Sequence, residues 1–231
     1  MFKFISIVEQ NQHLFDWGGL SNNFGAADLL EANPHKIDWQ IMSANPGAIR
    51  ILEKNPHKID WPNLSSNSAA VHLLEQNPDM IDWANLSGNP SPGAITLLED
   101  NMNKIDWATL SGNPAAIHLL EKNQDKIDWH YLSSNPSAIP LLEANKNMID
   151  WGGLSSNSMA IHLLEENTDR IEWPNLCANP NPSAAHILED NFDRIYWNIL
   201  SENPGAIDFL EKNPEEIDWR GLSLNPAIFV Q

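Results

Sequence analysis

The sequence predicts an all-α solenoid made of about ten helix-turn-helix repeats. Its ten Trp residues form one series with a spacing of 22 residues, except for two intervals of 24. Two Asn residues accompany each Trp, one six positions before it and one six positions after it. A fixed period between about 20 and 50 residues is typical of stacked repeats, which share one continuous core.

The same period predicts the domain organisation. We expect a single repeat domain over residues 1–231, with an N-terminal half-unit at 1–16, repeats at 17–218 and an incomplete C-terminal unit at 219–231. Hydrophobic residues make up 42 % of the chain, which is enough for a packed core.

Each repeat begins with a predicted helix of about six residues. Asp38 is a favourable N-cap, and Trp39 and Met42 share one face because they are three positions apart. Nine repeats have Leu at the Met42 position, and nine have Ser at the next position, where Cys177 is the exception. The segment is long enough for one and a half turns of α- or 3₁₀-helix.

The second predicted helix has about nine residues and starts at an Asn-Pro pair. Asn45 is a favourable N-cap, and Pro46 suits the first helical position because no N–H is needed there. Ala48 and Leu52 belong to its apolar face. We expect it to end at Asn55 in a left-handed C-cap conformation, which Asn tolerates. A helix this short depends on its neighbours for stability.

A leucine-rich repeat is the alternative fold, because Leu64 to Asn67 fits the L-x-x-N part of its pattern. The Asn-Pro helix start explains more of the unit, so the helical fold is favoured. The second Leu of the leucine-rich pattern would fall on unsuitable residues, namely Pro62, Ala84, Gly152 and Pro174.

Charge and composition exclude several classes of partner. With 13 Lys+Arg against 31 Asp+Glu, the net charge of −18 repels a phosphate backbone, so we expect no nucleic-acid partner. The chain has no apolar stretch long enough to cross a membrane, and we expect no membrane partner. Its single Cys excludes a disulfide framework. The apolar run at the N-terminus is too short for a signal peptide, so secretion is not expected.

The unit Ile-Asp-Trp-x-x-Leu-Ser-x-Asn-Pro-x-Ala-Ile-x-Leu-Leu-Glu-x-Asn, as in residues 105–123, resembles a repeat of many uncharacterised proteins of giant DNA viruses that infect amoebae and algae. The resemblance covers about residues 7–228. It implies a viral repeat protein in the host cytoplasm or the virion, with no activity to transfer. The chain departs from the motif at Glu172 and Tyr196, which replace the Asp before Trp, and at Phe24, which replaces Pro.

The Trp and Asn series are predicted to be structural. Ile two positions before Trp and Leu three positions after it predict a ladder of rings in the core. Asn at both ends of the second helix can satisfy the backbone groups that a short helix leaves open. The predicted ladder comprises Trp39, Trp61, Trp83, Trp107, Trp129, Trp151, Trp173, Asn45, Asn67, Asn89 and Asn113.

Most acidic residues occupy two repeat positions. Glu stands eight positions before all ten Trp residues, and Asp or Glu stands directly before nine. Two hypotheses stay open: each Glu has a specific partner, such as a Trp indole N–H or a turn amide, or the carboxylates form stripes that attract basic partners. Six basic residues three positions before Trp would partly neutralise such stripes: Lys36, Lys58, Lys104, Lys126, Arg170 and Arg194.

We expect no catalytic site, no metal site and no cofactor. No carboxylate or Cys completes a metal-ligand spacing around the four His residues that share one repeat position. Cys177 lacks an identifiable activating base, and no phosphate-binding loop or hydrolase motif is present.

Specificity is expected where the repeats differ, because solenoids bind partners through variable residues on a constant scaffold. The pattern therefore predicts a non-enzymatic scaffold that binds other proteins, basic ones among them. The alternatives are a self-associating structural component of a virion and an acidic mimic that sequesters basic proteins. The candidate partner-binding residues are Arg50, His72, Thr96, His118, His130, Tyr131, His162 and His186.

Overall fold

The structure is a computed structural model, and it describes residues 12–228. Within that range the chain forms α-helices and short 3₁₀-helices and no strand. The predicted all-α solenoid is therefore confirmed. The leucine-rich alternative is wrong, because that repeat needs a β-strand in every unit.

The chain divides into two compact units, each of several repeats: residues 1–115 form the first unit and residues 116–231 the second. The α-helices of the first unit are α1 Trp17–Ser21, α2 Ala27–Ala32, α3 Trp39–Ala44, α4 Ile49–Lys54, α5 Trp61–Ser66, α6 Val71–Gln76, α7 Trp83–Ser87, α8 Pro92–Glu99 and α9 Trp107–Ser111.

The second unit continues the same alternation. Its α-helices are α10 Ile117–Lys122, α11 Trp129–Ser133, α12 Ile139–Ala144, α13 Trp151–Ser156, α14 Ile161–Glu165, α15 Trp173–Cys177, α16 Ala184–Glu189, α17 Trp197–Glu202, α18 Ile207–Lys212 and α19 Trp219–Leu222. The expectation of one domain over the whole chain stays a prediction. The predicted half-unit at 1–16 lies largely outside the described residues.

Short 3₁₀-helices precede or follow the second helix of most repeats. They are Gln12–Leu14, Pro34–Lys36, Pro46–Ala48, Pro56–Lys58, Pro78–Met80, Met102–Lys104, Pro114–Ala116, Gln124–Lys126, Pro136–Ala138, Lys146–Met148, Thr168–Arg170, Phe192–Arg194, Pro204–Ala206, Pro214–Glu216 and Pro226–Ile228.

The Trp39 repeat shows how the two predicted helices are realised. Its first helix is Trp39–Ala44, six residues long, and Asp38 Oδ1 accepts a hydrogen bond from the N–H of Ile41 (N···O 3.1 Å). The 3₁₀ turn Pro46–Ala48 leads directly into Ile49–Lys54, which together match the predicted second helix. The 3₁₀-helix that follows was expected only as a turn.

The second helix does not end in the expected left-handed conformation. Asn55 has φ −131° and ψ 54°, and no non-glycine residue of 12–228 has a positive φ. Its side chain closes the helix instead, since Asn55 Nδ2 donates to the carbonyl oxygen of Ile51 (2.9 Å). This side-chain bond satisfies one of the carbonyl groups that a helix end leaves open.

The core lies between the first and second helices of each repeat. Within each unit, consecutive first helices pack against each other. Leu64, on a first helix, and Ala70 and Leu74, around the following second helix, are fully buried. Burial of each Leu side chain contributes about 1.5–3 kcal/mol, and the same three positions are buried in most described repeats.

Buried polar side chains join each repeat to the one before it. Asn67 Nδ2 donates to the carbonyl oxygen of Ser43 (2.9 Å), while Asn67 Oδ1 accepts from the N–H of Ala69 (3.0 Å). Ser43 Oγ donates to the carbonyl oxygen of Trp39 (2.7 Å) and accepts from the N–H of Asp60 (2.9 Å). These bonds recur in both units, which explains why Asn and Ser repeat so strictly.

The helices are short throughout the described range. The longest, Pro92–Glu99, has eight residues, and no helix in residues 12–228 is long and apolar enough to span a bilayer.

Candidate protein-binding face

Successive second helices expose two columns of side chains in each unit. The Glu column consists of Glu31, Glu53, Glu75 and Glu99 in the first unit, and of Glu121, Glu143, Glu165, Glu189 and Glu211 in the second. The variable column consists of Asp28, Arg50, His72 and Thr96 in the first unit, and of His118, Pro140, His162, His186 and Asp208 in the second. All of these residues are exposed except Glu31, which is partly buried.

Cross-repeat ion pairs hold the first-unit columns together. Arg50 Nη2 donates to Asp28 Oδ1 (2.8 Å) and to Glu31 Oε2 (2.6 Å), and Lys54 Nζ donates to Glu31 Oε1. The hydrogen bond from Lys54 and the positive charge of Arg50 lower the pKa of Glu31. The hydrogen bond to Asp28 and the charge of Glu31 raise the pKa of Arg50.

Imidazole-carboxylate pairs recur between neighbouring second helices. His72 Nε2 lies 3.0 Å from Glu53 Oε1, and His162 Nε2 lies 2.9 Å from Glu143 Oε1. For Glu53 and Glu143 the partner is therefore an imidazole and not the expected indole N–H or turn amide. Pairs this exposed contribute less than about 1 kcal/mol each. The 19-residue spacing between Glu and His was the sequence signal for this contact.

The Asp residues directly before Trp belong to the scaffold and not to a charged stripe. Asp60 Oδ1 accepts from the N–H of Asn63 (3.1 Å), and every Asp at this position in the described repeats caps its helix by accepting from an N–H two or three positions on. Glu172 and Tyr196 make no such cap. Of the two acidic positions in the repeat, the Glu column therefore remains the candidate charged surface.

Three of the six basic residues three positions before Trp lie over the aromatic ring of the preceding repeat, while Lys126 and Arg194 each pair with the Asp directly before them. Lys104 Nζ lies 4.4 Å from the ring centroid of Trp83, and Arg170 Cζ lies 4.7 Å from that of Trp151. The ion pairs shown for the Glu column come instead from second-helix residues such as Arg50. The expected neutralisation of the Glu column by Lys104 and Arg170 is therefore replaced by cation–π contacts.

The predicted ladder residues differ in burial. Asn45, Asn67, Asn89 and Asn113 are buried, as a structural role requires. The Trp rings are only partly buried, and they flank a core that Leu fills. All seven Trp residues of the predicted ladder are partly buried: Trp39, Trp61, Trp83, Trp107, Trp129, Trp151 and Trp173.

The eight candidate partner-binding residues lie on a first helix and in the variable columns of the two units. His130 and Tyr131 lie on the first helix α11, where their rings meet edge to face at 5.4 Å and His130 Nδ1 is 3.4 Å from Asp150 Oδ2. The other six belong to the variable columns of the two units: Arg50, His72 and Thr96 in the first, and His118, His162 and His186 in the second.

Equivalent grooves open between second helices in both units. In the first unit, Glu53, His72 and Gln76 border a groove of about 260 Å³ that Trp61 also lines. In the second unit, the corresponding groove has a volume of about 240 Å³, and no Trp is among its lining residues. The lining residues of the second groove are Glu165, Thr168, His186, Ile187, Asp190 and Asn191.

Cys177 takes the place of the bridging Ser in one repeat. It is fully buried, burial raises the pKa of its thiol, and its Sγ accepts from the N–H of Tyr196 (3.3 Å). Its surroundings suit a neutral thiol that packs, since a reactive cysteine needs a lowered pKa. No cluster of three or more potential metal ligands occurs within residues 12–228.

Comparisons of the whole chain with protein families, curated proteins and solved structures gave no match.

Proposed function

We propose that the chain is a non-enzymatic scaffold that binds a basic protein through the exposed face of its second helices. One observation carries the proposal. On successive second helices of each unit, a Glu that is the same in every repeat stands beside a side chain that differs between repeats. The carboxylates attract a cationic surface, and the variable column supplies selectivity.

The scaffold beneath this face supports such a role. Buried Asn and Ser side chains hydrogen-bond neighbouring repeats within each unit, so the exposed residues are held on a preorganised surface. The resemblance to repeats of giant DNA viruses makes host proteins of the cytoplasm the first partners to test.

A charge-matched pair of variants tests the proposal. Glu75, Glu165 and Glu211 are exposed members of the Glu column with no ion pair shown within residues 12–228. We expect the triple Glu→Gln variant to lose proteins that the wild-type chain captures from host-cell extract at 0.15 M salt, because the attracting carboxylates are gone. Quantitative mass spectrometry of the bound fraction measures the loss.

The matched control removes the same number of charges from the exposed 3₁₀ turns, through Asp79→Asn, Asp169→Asn and Glu215→Gln. It should retain the captured proteins. Equal losses from both variants, together with complete release at 0.5 M salt, would favour an acidic mimic that acts through net charge alone. Capture that neither variant alters would contradict the proposed face.

A further inference from the structure

In three of the described repeats a cation of the chain itself lies over the Trp ring. The residue three positions before the next Trp lies over the ring in three repeats: Lys36 over Trp17 at 5.9 Å, Lys104 over Trp83 at 4.4 Å and Arg170 over Trp151 at 4.7 Å from the centroid. A cation over an indole face is attracted by the negative face of the ring.

Within residues 12–228, no cation of the chain lies over Trp61. The residue at the corresponding position is Met80, which is uncharged and 46 % exposed. Trp61 is instead one of the residues that line the 260 Å³ groove described above. The groove therefore has Trp61 in its lining, and Met80 takes the position of the cation that lies over the Trp ring in the other three repeats.

The remaining groove residues define the chemistry of an occupant. Ile59 and Leu73 supply apolar walls, and the Glu53 carboxylate lies at the rim, 3.0 Å from His72 Nε2. An aliphatic stem fits the apolar walls, and a cationic head fits between the indole face and the carboxylate. An anionic ligand would be repelled by Glu53.

We propose that this groove receives an arginine side chain of the bound protein. Arginine suits it better than lysine, because a planar guanidinium stacks on an aromatic face and can donate two hydrogen bonds to one carboxylate. The inference rests on the proposed function and specifies one contact within it. The second-unit groove has no Trp in its lining and is not assigned this role.

The test uses the full chain and a small probe, N-acetyl-arginine amide, followed by the indole N–H signals in a proton–nitrogen NMR spectrum. Trp61→Phe identifies the Trp61 signal among the ten. We expect the probe to shift that signal saturably. N-acetyl-citrulline amide, which has the same shape without the charge, should bind at least about fivefold more weakly.

Three variants and one control locate the contact. Glu53→Gln should weaken probe binding about two- to fivefold because the carboxylate is lost. Met80→Lys should weaken it at least as much, because the chain's own cation then covers Trp61, whereas Met80→Leu should have no effect. Asp79→Asn, which removes one charge from an adjacent exposed position, should leave the affinity within about twofold.

Any other pattern overturns the assignment, including equal binding of the citrulline probe or an Asp79→Asn effect as large as that of Glu53→Gln. The proposed function fails separately. One outcome is that the triple Glu variant captures the same host proteins as the wild type while the arginine probe still shifts the Trp61 signal. That result would support the arginine-binding groove and contradict the proposed protein-binding face.

Discussion

The buried Asn six positions after Trp bonds in two directions at once. Asn157 Nδ2 donates to the carbonyl oxygens of Ser133 and Asn135, both at 3.0 Å, while its Oδ1 accepts from the N–H of Met159 (3.0 Å). A side chain that lacks either the amide donor or the oxygen acceptor leaves buried backbone groups without a partner. This explains why the residue type does not vary between repeats.

Asn157→Ala should therefore lower the free energy of unfolding by about 2–4 kcal/mol, since the carbonyl oxygen of Ser133 and the N–H of Met159 lose the bonds that Asn157 makes. The carbonyl oxygen of Asn135 keeps the N–H of Ala138 as a partner. Urea unfolding followed by circular dichroism measures the change. Asn147→Ala, at an exposed turn position, is the control and should change stability by less than about 0.5 kcal/mol. Equal effects at the two positions would contradict the structural role of Asn157.

At the scale of the helix, each element is too short to stand alone, and its ends matter as much as its faces. The Asp before Trp caps the first helix, and the Asn six positions before the next Trp closes the second helix. The junction of Cys177 with Tyr196 departs from this scheme twice. The bridging acceptor is the sulfur of Cys177 instead of a Ser oxygen, and Tyr196 has no side chain that caps the helix. Both departures replace a strong hydrogen-bonding group with a weaker one or with none.

Tyr196→Asp should restore the missing cap. The new carboxylate would accept from the N–H of Ile199, as Asp60 does from Asn63, and should stabilise the chain by about 1 kcal/mol. Tyr196 is 48 % exposed, so its removal loses little buried surface. Thermal unfolding measures the gain. Tyr196→Ala is the control, and an equal gain from Ala would show that the Tyr side chain is unfavourable there and that no cap forms.

At the scale of the whole molecule, stability comes from contacts between neighbouring repeats within a unit. Within each unit the first helices pack in sequence, and the buried Asn side chains bond to the repeat before their own. Stability of such a stack is approximately a sum of repeat and interface terms. One repeat can then be removed without loss of the others, provided that the register of the remaining sequence is kept.

Deletion of residues 129–150 joins Asp128 to Trp151 and preserves the repeat register. We expect the shortened chain to keep its helical signal per residue and to unfold at a moderately lower urea concentration. Deletion of residues 129–139 joins Asp128 to Pro140 and breaks the register, so it should abolish cooperative unfolding. Loss of folding in the 22-residue deletion would contradict the solenoid arrangement.

Much of the local structure could be predicted because its causes are local. Asp38 and Asn45 marked the helix starts, and the 22-residue period implied stacking. The C-terminal conformation of Asn55 could not be predicted in this way. Residue type allows a left-handed cap, but the bond from its side chain to Ile51 makes that conformation unnecessary.

The sequence by itself determined the repeat, the all-α class and the starts of the helices, because these follow from spacing and from the capping preferences of single residues. Only the tertiary structure decided which groups meet across repeats. It paired Glu53 with His72, placed Lys104 over Trp83 and left Trp61, within residues 12–228, without a cation over it. The 19-residue spacing of Glu and His could indicate the first of these contacts, but the other two depend on how far a side chain reaches from one repeat to the next, which spacing along the chain does not specify.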